Sequence, residues 1–165
     1  MFGGELKQPT QKTSASAPDS FMRNFQYQSH SADGIVNSIL TSIEAVHFPK
    51  DDLTKFAKPK LTYFTKDRQT WVVTSDKGRS INGDDKIFLS QNVLIHQPQT
   101  AISPDTKIYT QHLTVYPGTD IAITNDPVLI KRPGTVIHGI GMTANLKTGQ
   151  YKLLHQARGI YDPEA

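Results

Sequence analysis

The chain contains no cysteine and no long apolar run. The absence of thiols excludes a disulfide framework, a cysteine-ligated zinc site and a thiol nucleophile. No uninterrupted stretch of about 18–20 apolar residues and no hydrophobic segment of the signal-peptide type occurs, so the printed sequence holds neither a transmembrane helix nor a signal peptide. Hydrophobic residues make up 36% of the 165 residues, which suits a β-protein with one wet face better than a thick globular core.

A strong excess of charge of one sign is also missing. The chain has 18 lysines and arginines against 15 aspartates and glutamates, for a formal charge of +3. These residues are scattered, and the nearest approach to a basic cluster is Lys131–Arg132. Nucleic-acid-binding proteins usually concentrate basic residues on one face together with aromatic residues. The distribution therefore indicates that the partner is not a nucleic acid.

Catalytic and metal-binding motifs are missing as well. The histidines are too dispersed for a local metal motif, and they are His30, His47, His96, His112, His138 and His155. The acidic pairs at 51–52 and 84–85 fall in predicted turns, where aspartate is favoured because its side chain caps the local backbone. The glycines at 139 and 141 lack the spacing and the following helix of a phosphate-binding loop. We therefore expect no metal, no cofactor and no enzymatic activity.

An internal repeat is the most informative feature that is present. Four segments align with one another, at residues 39–64, 72–97, 108–132 and 138–162. Each predicts a strand, a turn and a second strand that breaks near its middle and then resumes. The turns lie at 49–52, 82–85, 117–120 and 147–150, and the breaks at 58–59, 91–92, 126–127 and 156–157. A period of roughly 30–35 residues is typical of stacked units that share one apolar face, so the sequence predicts an all-β stack of hairpins.

Residues 36–48 support two interpretations. Val36, Ile39, Leu40, Ile43 and Val46 have helical spacing. The repeat and the content of isoleucine, valine and threonine favour a bulged strand instead. We predict a strand here, preceded by a first strand over residues 21–28 that ends at a turn over 31–34.

The length fits one domain with a polar N-terminal tail. Residues 1–19 are rich in Gly, Gln, Thr, Ser, Ala and Pro and have few apolar anchors, which is typical of a flexible linker. We therefore divide the chain into a tail at 1–19 and a β-domain at 20–165.

Period-2 alternation along the strands selects one set of side chains for the inside of the stack. These candidates are Leu61, Tyr63, Val73, Phe88, Val93, Ile95, Leu113, Val115, Ile121, Ile123, Val128, Ile130, Ile140, Met142 and Leu153. Two interpretations stay open. The residues either form an ordinary packed core, or they line an apolar trough that holds acyl chains because the sheet curls without closing.

Three consecutive segments carry a resemblance to a known family. They are residues 58–64 (KPKLTYF), 70–78 (TWVVTSDKG) and 82–95 (NGDDKIFLSQNVLI), and they resemble the LptC family of lipopolysaccharide export proteins. Residues 18–25 (PDSFMRNF), 47–52 (HFPKDD), 125–128 (NDPV) and 134–145 (GTVIHGIGMTAN) are also similar to family stretches. The motifs are short, but their order and spacing cover nearly the whole chain beyond the tail.

The chain departs from the family pattern in two ways. Ser75 and Gly78 stand where relatives have alanine, which affects packing and not chemistry. Family members also begin with a single transmembrane helix, which this sequence lacks. We therefore expect the sequence to be the part of a longer chain that lies at the periplasmic face of the inner membrane.

The resemblance implies a fold and a function. The fold would be an open, twisted β-jellyroll, and the function would be to receive lipopolysaccharide from the inner-membrane ABC transporter and pass it to the periplasmic bridge protein LptA. The inward residues would then form the lipid-binding groove. Two alternatives remain, which are the soluble middle component of the same bridge and an adaptor β-domain with a filled core and no ligand.

The C-terminal segment at 151–161 is the candidate partner-binding edge. Leu153, Leu154, Ile160 and Tyr161 make it more apolar than a free edge tolerates, and only Lys152 and Arg158 interrupt it. We expect this edge to accept a strand of LptA by β-augmentation, and the N-terminal end near 21–27 to face the transporter.

Overall fold

The computed structural model describes residues 17–161, which form eleven β-strands and one short 3-10 helix. The strands are β1 (Ser20–His30), β2 (Val36–Phe48), β3 (Leu53–Ala57), β4 (Lys60–Phe64), β5 (Thr70–Thr74), β6 (Lys77–Ile81), β7 (Lys86–Gln97), β8 (Thr106–Tyr116), β9 (Ile121–Arg132), β10 (Thr135–Asn145) and β11 (Gln150–Tyr161), and the helix Lys50–Asp52 joins β2 to β3. Between residues 17 and 161 no helix is long and apolar enough to cross a membrane. The predicted all-β class is confirmed.

Every strand pairs antiparallel to its neighbours in one 11-stranded sheet. The order is β11-β10-β9-β8-β7-β5-β4-β2-β3-β6, with β1 added beside β2 and a further pairing of β6 with β7. Strands β3 and β4 are two halves of one broken strand, and so are β5 and β6. The strands of described residues with a neighbour on one side alone are therefore β1 and β11.

The predicted hairpin repeat is confirmed by the strand pairing. All four predicted turns connect paired strands, which are β2–β3, β6–β7, β8–β9 and β10–β11. Residues 36–48 form strand β2, so the strand prediction is confirmed and the helical alternative is wrong. The apolar residues at helical spacing there lie on both faces of a strand, and the alternation is interrupted at Ile43 and Glu44, which are both exposed.

The breaks of three strands lie side by side and are tied together by Asp76. Lys58, Gln91 and Asn92 adopt left-handed conformations, with φ of 52°, 69° and 55°. The Lys58 backbone amide donates to the Asp76 carbonyl at 3.0 Å, and the Asp76 amide donates to the Gln91 carbonyl at 2.9 Å. The Lys58 ammonium and the Asn92 amide each donate to the Asp76 carboxylate at 2.8 Å. Hydrogen bonds from Lys58 and then Asn92 lower the pKa of that carboxyl.

These aligned breaks turn the sheet, so that distant strands come into contact. The Lys66 amide, between β4 and β5, donates to the Lys147 carbonyl in the β10–β11 turn at 2.9 Å. Trp71 on β5 meets Tyr151 on β11 edge-on, with ring centroids 6.3 Å apart. We call the concave face of this curled sheet the inner face and the opposite one the outer face. The architecture is the predicted twisted β-jellyroll.

Most of the inner face is packed against itself. The buried apolar side chains include Trp71, Val73, Ile87, Leu89, Val93, Ile95, Ile108, Leu113, Val115, Val128, Ile130, Met142 and Leu146, each at most 3% exposed. They come from β5, β7, β8, β9 and β10 and from the turn after β10. This part of the inner face is therefore a filled core.

Most of the predicted tail lies outside the described residues, which begin at residue 17. Its last residue, Asp19, is placed, and its backbone amide donates to the His47 carbonyl at 3.0 Å. The predicted start of the β-domain at residue 20 coincides with the first residue of β1.

Candidate functional site

An apolar cavity opens where the inner face is not filled, at the β1 end of the sheet. Its volume is about 270 Å³. Residues from β1 to β4 form most of its wall, and the β6–β7 and β8–β9 turns close one side. The cavity is lined by Ser20, Met22, Phe25, Tyr27, Ser29, Ser38, Leu40, His47, Thr54, Phe56, Leu61, Tyr63, Ser80, Gly83, Asp84, Ile87 and Pro117.

The floor of the cavity is aromatic and aliphatic. Leu40, Phe56 and Leu61 are at most 5% exposed and belong to the core. Phe25 covers Phe56, with ring centroids 5.7 Å apart and an interplanar angle of 42°. The cavity therefore suits hydrocarbon and offers few groups that could fix a polar ligand.

Strand β1 supplies the outer wall. Its inward residues start at Met22 and resume at Phe25 and Tyr27, because Asn24 adopts a left-handed conformation with φ of 51° and interrupts the alternation. Tyr27 is 47% exposed although it faces the cavity. Because β1 pairs with β2 alone, it is the wall strand that can move by separating from a single neighbour when the cavity widens.

A buried hydrogen bond forms the back wall of the cavity. The Tyr63 hydroxyl on β4 donates to the carboxylate of Asp120, in the turn between β8 and β9. Tyr63 is 2% exposed, and burial, followed by the Asp120 contact, raises the pKa of its hydroxyl far above the usual value. The hydroxyl thus stays protonated and donates at all ordinary pH values, which keeps Tyr63 in place at the cavity wall.

His47 closes the cavity at the beginning of β1. Its Nδ1 lies 2.7 Å from a carboxylate oxygen of Asp19, and its Nε2 lies 2.6 Å from one of Asp52. Both ring nitrogens can donate at once only when the imidazole is protonated. The hydrogen bonds to Asp52 and then Asp19 raise the pKa of His47 above 6.5. The protonated ring therefore fastens the start of β1 to the β2–β3 turn.

We expect this fastening to weaken as the pH rises. A raised folded-state pKa means that the stabilisation is complete below about pH 6.5 and is lost as the pH rises through the folded value. Between pH 6 and pH 9 the melting temperature should fall more for the parent than for His47→Gln, and the protection factors of the β1 amides, which already allow for base-catalysed exchange, should fall only in the parent. Parallel pH profiles of parent and variant would contradict the assignment.

The structure distributes the predicted groove residues over three environments. Leu61 and Tyr63 line the cavity. Eight others face inward but pack in the filled core, and they are Val73, Val93, Ile95, Leu113, Val115, Val128, Ile130 and Met142. The expectation of a trough open from end to end is therefore wrong for the described residues, because these side chains contact one another and leave open space only next to β1.

The remaining predicted groove residues lie on the outer face, and their inward assignment is wrong. They are Phe88, Ile121, Ile123 and Ile140. In β7 the buried neighbours are Ile87 and Leu89, and in β9 they are Ala122 and Thr124. The breaks in β7 and β9 preserve the alternation, so the residues buried before each break are in phase with those buried after it, such as Val93 and Val128.

The predicted partner edge is strand β11, which is the last strand of the sheet. Leu153 packs half-buried against the core, whereas Leu154 and Ile160 are 39% and 64% exposed. Tyr161 pairs with Thr135 at the end of the strand. Leu153 thus faces inward and Leu154 and Ile160 are exposed, and the role of this edge in partner binding stays a prediction.

The sequence-based selection missed most of the cavity. Met22, Phe25, Leu40 and Phe56 line it and were not selected. Leu40 lies in the segment with two competing periodicities, which prevented an assignment of its face. In β1, the inward set of Met22, Phe25 and Tyr27 becomes visible only when the left-handed conformation of Asn24 is known.

Comparison with protein families gives one match that covers nearly all of the chain. Residues 3–162 match the family described as "Lipopolysaccharide-assembly, LptC-related". A comparison with curated proteins finds no match.

Comparison with solved structures supports the fold independently. The crystal structure of LptH from Pseudomonas aeruginosa, described as the LptA-homologous periplasmic component of a lipopolysaccharide transport device, superimposes with a TM-score of 0.58. The alignment covers 76% of this chain and 95% of LptH at 8% sequence identity. At this identity the likeness concerns the jellyroll fold alone.

Proposed function

Because the chain belongs to the LptC-related family of lipopolysaccharide-assembly proteins, we propose that its β1 cavity receives acyl chains of lipopolysaccharide during transport across the periplasm. The family is one of transport components and not of enzymes. The observation that carries the proposal is the apolar cavity of about 270 Å³ on the inner face.

The physical basis is hydrocarbon burial. Each methylene group that leaves water contributes about 0.8 kcal/mol. The sugars and phosphates of the lipid remain outside, since the cavity has few polar groups to replace their water. No covalent step is required, and the energy for transport comes from the ABC transporter.

The cavity must widen to take a lipid with several acyl chains. Sites that enclose a drug-sized ligand usually measure ~300–1,000 Å³, which exceeds the volume seen here. Displacement of β1 would widen it while separating only one pair of strands, since β1 pairs with β2 alone. We therefore propose that lipid enters between β1 and the β6–β7 turn.

The two strands that have a neighbour on one side alone, β1 and β11, are the basis of the proposed direction of transfer. We propose that β1 faces the ABC transporter at the inner membrane, where the family's anchor would hold the domain, and that β11 docks on LptA. An exposed strand edge can accept a strand from a similar domain through main-chain hydrogen bonds. The likeness to LptH supports this, because docked jellyrolls of one architecture would continue a common sheet.

Photo-crosslinking from β1 tests the cavity. A photoreactive residue at Met22 or Phe25 should trap lipopolysaccharide in cells, whereas the outward neighbours Arg23 and Gln26 should not. Equal yields from both faces of β1 would contradict binding in the cavity.

A second candidate function is an adaptor domain without a ligand. The filled core between β5 and β10 favours it, since side chains such as Val73 and Val115 have no exposed surface. The same crosslinking experiment separates the two functions, because an adaptor would trap protein partners and no lipid.

A further inference from the structure

A second concave surface lies on the outer face, across the sheet from the β1 cavity. We call it the outer groove. It measures about 780 Å³ and is lined by Glu44, Val46, Lys55, Phe56, Ala57, Lys58, Asp76, Lys77, Gly78, Arg79, Phe88, Leu89, Ser90, His112, Leu113 and Thr114. The two concave surfaces share Phe56, but the proposed carriage of acyl chains uses none of the charged residues of the outer groove.

Positive charge dominates the outer groove. Of its two carboxylates, Asp76 is held by the Lys58 ammonium at 2.8 Å, and Glu44 lies opposite Arg23 on the neighbouring strand. The side chains of Lys55, Lys77 and Arg79 are exposed, and among the residues 17–161 no carboxylate lies within ion-pair distance of them. The groove therefore presents cations to an anionic partner.

Two of these cations, Arg79 and Lys55, stand over aromatic rings. The Arg79 guanidinium lies 4.4 Å from the centroid of the Phe88 ring, and the Lys55 ammonium lies 5.2 Å from that of Phe48. Lys86 makes the same arrangement with Tyr116 on the adjacent part of the outer face, at 5.8 Å. Cationic and aromatic side chains combined in this way suit the boundary between lipid head groups and acyl chains.

Apolar residues surround the cations on the same face. Phe88 lies in one cross-strand row with Thr114 and Ile123, and Ile121 lies in the next row. Both isoleucines are half-buried on the outer face. An acidic peptide would form salt bridges with the cations but would gain little from the apolar side chains. A membrane interface accepts the cations and the apolar side chains at once.

We propose that the outer groove docks on the surface of a bilayer that contains anionic phospholipid, with Lys55, Lys77 and Arg79 at the phosphates and Phe88 at the head-group boundary. Docking in this orientation leaves the inner face and its β1 cavity directed away from the bilayer surface. The domain is then held against the membrane independently of any lipid inside the cavity.

Vesicle binding tests the docking. The parent should bind vesicles of phosphatidylglycerol and phosphatidylcholine and should not bind vesicles of phosphatidylcholine alone. Near an anionic surface each removed cation should weaken binding about fivefold, so Lys77→Gln/Arg79→Gln should lose about thirtyfold. Binding should also weaken as salt rises from 50 to 300 mM.

The matched control removes two cations elsewhere on the outer face. Lys107 and Lys131 lie opposite each other on β8 and β9, and the Lys131 ammonium stands 5.6 Å from the Tyr109 ring. Lys131 is separated from Ile123, which shares a row with Phe88, by roughly 26 Å of strand. Lys107→Gln/Lys131→Gln should therefore change vesicle binding less than threefold.

Four outcomes overturn the proposal. The first three are that the parent binds neutral vesicles equally well, that the two double variants lose binding equally, and that the parent does not bind vesicles at all. The fourth is that Lys77→Gln/Arg79→Gln loses binding to polyglutamate but not to vesicles. That result would assign the groove to an acidic protein segment. Melting temperatures confirm that both variants are folded. Crosslinking of lipopolysaccharide from Phe25 should be the same in both, so a failure of docking is distinct from a failure of the cavity.

A reporter at the bottom of the outer groove gives a second measurement. Phe88→Trp should show a blue-shifted emission with anionic vesicles and quenching by brominated lipid, above the constant signal of the buried Trp71. Tyr109→Trp, under Lys131, should show neither change. An emission spectrum of Phe88→Trp that is unchanged by anionic vesicles would contradict the docking.

Discussion

Replacing Ile95 with alanine should lower the free energy of unfolding by about 2–5 kcal/mol, which is the usual cost of emptying a filled core position. Ile95 is 1% exposed, between Val73 on β5 and Ile108 on β8. Neither neighbour can move far, because each is itself enclosed. The midpoint of urea unfolding should therefore fall strongly while its slope stays unchanged.

The matched control is Ile123→Ala on the outer face. Ile123 faces away from the core, between Thr114 and Thr143. Its replacement should cost about 1 kcal/mol or less, since half-exposed positions lose little contact. Similar losses for the two variants would contradict the distinction between the filled core and the outer face. If Ile95→Ala lowered the free energy of unfolding by well under about 1 kcal/mol, the inner face would be a solvent-filled groove at this position.

The order of the strands followed from the sequence because turn chemistry is local. The segments at Asn82–Asp85 and Pro117–Asp120 contain residues that favour a tight turn whatever surrounds them. Alignment of the four segments then predicted a stack of hairpins, with β11 at its end. The same alignment placed residues 36–48 in a strand, against their helical periodicity.

The face of each residue could not be predicted as well, because it depends on what happens at the breaks. Leu89 and Val93 are both buried although Gln91 and Asn92 between them are in left-handed conformations. Those conformations are held by hydrogen bonds to Asp76, which comes from a different strand. A sequence pattern in β7 carries no information about that contact, and Phe88 was therefore assigned to the wrong face.

The position of the cavity could not be predicted from the sequence for a similar reason. The cavity lies beside β1, whose alternation is interrupted by the left-handed Asn24, and it is bordered by Tyr63, which reaches Asp120 far away in the chain. Period-2 alternation selected inward residues without indicating where they fail to meet. The family resemblance implied a groove, and the described structure restricts the open part of it to the end next to β1.

Filling the cavity should separate lipid binding from folding. Ser38 on β2 is 8% exposed and faces the cavity opposite Ser29 and Tyr63. A phenyl ring at this position occupies space that hydrocarbon would take. If it displaces about three methylene groups, at about 0.8 kcal/mol each, the affinity for lipopolysaccharide should fall by a factor of about fifty.

The control for Ser38→Phe is Ile39→Phe, whose side chain points to the outer face of the same strand. Titration with fluorescently labelled lipopolysaccharide should give parental affinity for Ile39→Phe and a strong loss for Ser38→Phe. Because overpacking at Ser38 can itself cost about 1–3 kcal/mol, Ser29→Phe serves as a second variant. Ser29 lines the cavity from the edge strand β1, which yields more easily than β2. A folded Ser29→Phe protein with parental affinity would exclude the β1 cavity as the site where the acyl chains bind.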